Sequence, residues 1–73
     1  MTELGLYLAK RSINKSDVSR KTGISKVRLS ELTLNETTHL RAKELYLIAL
    51  AIHVEPAEMF LEIHKDICLE KEN

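Results

Sequence analysis

Seventy-three residues, 44% hydrophobic and 30% charged, make one small folded domain rather than a disordered or fibrous chain, too short for an enclosed catalytic site. Eleven Lys and Arg balance eleven Asp and Glu, so no overall charge commits the chain to a polyanion or a membrane surface. The single cysteine, Cys68, excludes a disulfide framework.

Five helices and no strands can be read in chain order. The first spans about Thr2 to Arg11, with Leu4, Tyr7 and Leu8 on one face at helical spacing. Ser12 makes a turn and Ile13 reads as an anchor between helices. Asn14 is a good N-cap, with Asp17 in the capping-box position, so the second helix covers about Lys15 to Thr22. Gly23 stands where a left-handed closing residue belongs. Ile24 enters the core and Ser25 caps a third helix, about Lys26 to Thr33, whose inner face is Leu29 and Leu32.

"LNETTH" is a polar loop. The fourth helix, about Arg41 to Ile52, is apolar on most sides and reads as the centre of the domain. His53 ends it where glycine or asparagine would be easier, which points to strain or a different cap. "EPAE" starts a fifth helix, with Pro56 at its first position and Glu55 and Glu58 matched to the dipole. That helix is expected to reach about Leu69, with Met59, Phe60, Ile63 and Ile67 as its stripe. No repeat, linker or low-complexity tract interrupts the chain, which reads as a single domain over residues 1–73.

The neutral total hides an asymmetry. Between Lys10 and Arg28 there are seven cations and one anion; from Glu55 onward there are six anions and two cations. Such segregation points to a basic binding face and an acidic far end. Two short helices joined by a turn containing one glycine make a helix-turn-helix unit, with Val18, Ile24 and Leu29 filling the space between them and small Ser19 allowing a tight crossing. Lys26 and Arg28 then lie in the first turn of the third helix, against the sense of its dipole, at a cost of a few tenths of a kcal/mol. The placement makes sense when an anion is to sit there: helix amides with lysine and arginine meet phosphates or guanine edges.

"NKSDVSRKTGISKVRLSEL" resembles the helix-turn-helix of the lambda-repressor-like, XRE-type DNA-binding domains, and "LRAKELYLIALAIHVEPAEMF" is similar to their fourth helix and fifth-helix start. The resemblance covers about residues 3–62, with 63–73 a helical extension. It implies an all-α, compact five-helix lambda-repressor-like fold with helices two and three as the helix-turn-helix, double-stranded DNA as ligand, and dimers on palindromic operators. The chain departs from the family at several places. Lys15 replaces the favoured glutamine, Ser19 the usual alanine, and the loop "LNETTHL" lacks a glycine. A helix-one arginine and a glutamate after the recognition helix often form an ion pair; here the matching residues are Leu8 and Thr33, so the pair is lost as a unit.

The candidate base contacts are Lys26, Val27, Arg28 and Glu31. Arginine would face guanine, Val27 a thymine methyl, and Glu31 cytosine N4. Each has a plainer role: a phosphate contact or none for the cations, partial burial for Val27, and a solvated or excluding charge for Glu31. Candidate phosphate contacts are Lys15 and Ser16 (side chain and amide), Ser25 (first a cap), and Thr38, His39 and Arg41 beside Thr37 around the fourth-helix start. Met59, Ile63 and Ile67 either close the core or make a dimer or partner interface.

His64 and Cys68 are four apart on one helix face, but the other histidines lie elsewhere, and no four-ligand zinc site assembles. No metal, cofactor or small-molecule substrate is expected, and no nucleophile–base set marks an enzyme. "MTELGLYLAKR" reads as no signal peptide, and the longest apolar run, "LYLIALAI", is too short to span a bilayer, so a cytoplasmic location is expected. The expected function is a small DNA-binding repressor, acting as a homodimer. The alternative is a protein-interaction module of the same fold, an antitoxin or co-regulator, docking a partner through its C-terminal helix.

Overall fold

A computed structural model describes residues 1–70 of the chain. Within them the five helices are α1 Glu3–Lys10, α2 Lys15–Thr22, α3 Lys26–Leu34, α4 Ala42–Ala51 and α5 Pro56–Ile63, with no strand among the described residues. One apolar core joins them: Leu4, Tyr7 and Leu8 from α1, Val18 from α2, Leu29 and Leu32 from α3, Leu45, Ile48 and Ala49 from α4, and Met59 and Ile63 from α5. Ile13 and Ile24, in the connections, pack against it as half-buried anchors.

Four of the five helix starts have a side-chain cap on a first-turn amide. The Thr2 hydroxyl accepts from the Gly5 amide at 3.0 Å, and Asn14 Oδ1 accepts from Ser16 and Asp17 amides at 2.8 and 3.3 Å. Asp17 does not complete a capping box; its carboxylate meets Arg20 at 3.3 Å instead. Ser25 Oγ accepts from the Arg28 amide at 3.1 Å, and Glu55 from the Ala57 amide at 3.2 Å.

Three helices end in a left-handed residue, and only one of them is glycine. Gly23 (φ 81°) closes α2 with its amide on Ser19 O at 2.9 Å. Ser12 (φ 53°) and His53 (φ 60°) end α1 and α4, each followed by an apolar residue whose amide returns to the helix. Ile13 N reaches Leu8 O at 3.1 Å, and Val54 N reaches Ala49 O at 2.9 Å. These are Schellman closures held by their hydrophobic follow-on residue, which offsets the roughly 1–2 kcal/mol of left-handed strain.

Two expectations change. The fourth helix is one-sided: Tyr46 and Leu50 are about half exposed, and only Leu45, Ile48 and Ala49 are fully inside. The fifth helix stops at Ile63 rather than near Leu69, so the expected helical extension is absent in residues 64–70; the part in 71–73 lies outside the described residues. Met59 and Ile63 reach the core, but the next residue of that stripe, Ile67, is 70% exposed. A further turn would have nothing to bury, and propensity alone does not hold a short helix in water.

Helix α3 is pinned at its C-terminal end by the start of α1. The Thr2 amide donates to Thr33 O at 2.9 Å and the Thr2 hydroxyl to Leu32 O at 2.7 Å. Gly5 makes this approach possible: a Cβ there would collide with Thr33 O. Leu8 and Thr33, where the resemblance places an ion pair, are both buried, and the Thr33 hydroxyl donates to Leu29 O at 2.9 Å. Neither site carries an orphaned charge.

Candidate DNA-binding surface

With its far end pinned, α3 presents its N-terminal end to solvent. Ser25, Lys26, Val27, Ser30 and Glu31 are exposed, and Val27 is 72% so. Burial of Val27 against α2 is thereby excluded. Because Ser25 Oγ takes the Arg28 amide and Ser25 O takes that of Leu29, the Lys26 and Val27 amides are left without a partner among the described residues. Two free N–H groups and a lysine make this helix end electropositive. The Ser25 hydroxyl hydrogen stays available, so capping and a phosphate contact are compatible.

Arg28 behaves differently from the sequence expectation of a free guanidinium. Its Nε and Nη2 grip Glu44 at 2.8 and 2.9 Å, and Nη2 also donates to His39 O at 2.9 Å. Glu44 is mostly enclosed, with 12% of its side chain exposed, and accepts the Arg41 amide at 3.0 Å. Arg41, an arginine, has no acceptor to return, so this is half of a capping box. The hydrogen bond from Arg28 holds the Glu44 carboxyl below the usual carboxylate range against its partial burial. In turn the guanidinium is raised, first by Glu44 and more weakly by Glu31. The forked pair, two parallel N–H···O bonds, is the strong form of this interaction.

One consequence is a joined surface. Arg28 brings the 39–41 segment and the first turn of α4 against the first turn of α3, residues that are 11 and 16 positions apart in sequence. His39 and Arg41 are exposed there and Thr38 is half-buried. Thr37 is occupied locally, its amide and hydroxyl both on Asn35 Oδ1 at 3.0 and 2.7 Å. At the start of α2, Lys15 is half-buried and Ser16 exposed. The Ser16 amide, expected to face phosphate, is already taken by Asn14, which leaves the hydroxyl.

A family model for the Cro/C1-type HTH DNA-binding domain matches residues 3–63. The chain belongs to that family. Comparisons with curated proteins and with solved structures give no match. Membership states the ligand class, DNA, and agrees with the five-helix arrangement of this Cro/C1-type domain.

The remaining sequence candidates separate clearly. Met59 (0% exposed) and Ile63 belong to the domain's own core and offer no interface, which corrects that expectation for both. Exposed apolar side chains in the same region are Phe60, Leu61 and Ile67. His64 and Cys68 do not share a helix: His64 follows the end of α5, its ring 4.4 Å from that of Phe60, and Cys68 is exposed beyond it. Sequence reasoning missed Glu44. A signal was available, since glutamate three residues after a helix start is a capping pattern; its partner, 16 residues away, gave none.

Proposed function

We propose that this Cro/C1-type domain binds double-stranded DNA with sequence preference and serves as a small transcriptional repressor, with α3 in the major groove. The observation that carries the reading is the open N-terminal end of α3, with exposed Lys26 and Val27 whose amides have no partner among the described residues. In this docking, Lys26, Val27 and Glu31 face base edges, and Lys15, Ser16, Ser25, Thr38, His39 and Arg41 meet phosphates. Phosphate contacts carry affinity and register, while base contacts carry sequence information.

A second copy would double the contact through half-sites about 34 Å apart. Exposed Leu61 and Ile67 favour pairing through the last turn of α5 and the residues that follow it, and the same surface supports the second reading, a protein partner. Sedimentation of the pure protein separates the two, since self-pairing gives a dimer and a partner surface a monomer.

Selection from a random-sequence duplex pool, followed by titration of the selected site across a salt series, tests the main reading. An enriched site bound with a steep salt slope is the expected result. Weak binding with no enriched sequence would contradict it.

A further inference from the structure

We propose that Glu44 is a specificity-determining residue of this domain: by holding Arg28 in a forked ion pair, it keeps that guanidinium off the bases and fixes the reading surface as Lys26, Val27 and Glu31. The inference rests on the reading that α3 enters the major groove.

Arg28 sits at the third position of α3, beside Val27 and one turn before Glu31, where an unpaired arginine would be an effective guanine reader. Three of its five N–H donors are instead committed, while the two on Nη1 have no partner among the described residues. Nε and Nη2 bond the two carboxylate oxygens of Glu44, and Nη2 also bonds His39 O. Moving the guanidinium to a base would break the fork and the His39 bond together. It would also leave Glu44 nearly enclosed, negative and facing DNA phosphates without its counter-charge.

The same geometry makes Arg28 a positioning residue. It ties the first turn of α3 to the 39–41 segment, which presents His39 and Arg41, so the groove-facing and backbone-facing parts of the surface move as one. Specificity in this arrangement includes an act of withholding. A cation is present at the groove, and a carboxylate from another helix prevents its use.

The test compares three full-length proteins in duplex selection and salt titration: wild type, Glu44→Ala, and Glu44→Ala with Arg28→Met. Glu44→Ala frees Arg28, and its selected site gains a guanine preference of about 5- to 150-fold at one position that wild type ignores. A salt slope steeper by about 0.9 with an unchanged site would mean that the freed side chain meets phosphate, and that outcome counts against a specificity role for Glu44. The double variant returns to the wild-type site and slope. Glu44→Gln keeps an acceptor for the Arg41 amide and makes the same comparison should Glu44→Ala not fold. In wild type, the Arg28 Nε–H resonance keeps its free-protein shift when the selected duplex is added.

A Glu44→Ala selected site identical to that of wild type, whatever its salt slope, would overturn the proposal. So would a double variant that loses a preference wild type has, or an Arg28 Nε–H that moves on binding, because each means that Arg28 reads DNA directly. Wild type enriching no site at all is a different failure, that of the groove reading itself.

Discussion

The two ends of α3 are built in opposite ways. At the C-terminal end the Leu32 and Thr33 carbonyls are both taken by Thr2, and Gly5 lets α1 lie against the backbone. At the N-terminal end the Lys26 and Val27 amides have no partner among the described residues, and a cation stands where the dipole favours an anion. Helix α5 shows what an end without such a task looks like. Pro56 removes one donor, Glu55 takes the Ala57 amide, and Glu58 supplies the matching charge. One end of α3 holds the helix in the domain, and the other leaves two amides without a partner among the described residues.

The largest effect expected from breaking this contrast is on DNA affinity. Lys26→Glu should weaken binding of a selected duplex by roughly 100-fold or more, losing an attraction and adding a repulsion. It should leave the melting temperature nearly unchanged. The reverse holds at the pinned end. Gly5→Ala should cost about 2 kcal/mol of stability by forcing α1 away from α3, lowering the melting temperature by about 10 °C, while the folded fraction binds DNA normally.

Arg28→Ala tests the link between the free end and α4. It leaves Glu44 without its main partner and should lower the denaturant midpoint, by less than Gly5→Ala does. Ser25→Ala removes the cap of the Arg28 amide and should cost about 1 kcal/mol, with a loss of DNA affinity that its α5 counterpart Glu55→Ala does not share.

The smallest effect concerns pH. Glu44 has a folded pKa below its unfolded one, so its contribution is present above the ordinary carboxylate range and lost as pH falls through the lower folded value. Melting temperature should therefore decline below about pH 5, and Glu44→Gln should flatten part of that decline.

Much of the fold is written locally. Asn14, Gly23, Ser25 and Pro56 each act within a few residues, and the helix starts and the α2–α3 turn follow from them. Periodicity also identifies the inner faces, although it overstates α4, where the surrounding helices cover only one side. What could not be read depends on distant partners. Gly5 reads as an ordinary helical glycine until Thr33 O lies against it, and Ile67 continues the apolar stripe of α5 past the point where the core ends. The same holds for the candidate site. The position of Lys26 and Val27 in the first turn of α3 follows from the Ser25 cap, whereas the exposure of Val27 is settled only by the packing. Arg28 looks equivalent to Lys26 in sequence, and only the packing of α4 brings Glu44 to its fork.

The contrast between the two ends of α3 is tested most directly by following the backbone amide resonances of the labelled protein during titration with a selected duplex. Lys26 and Val27 should shift most, with Ala57, Glu58 and Thr33 nearly still. Shifts centred on the start of α5 or on Thr33, with Lys26 and Val27 unmoved, would contradict the account.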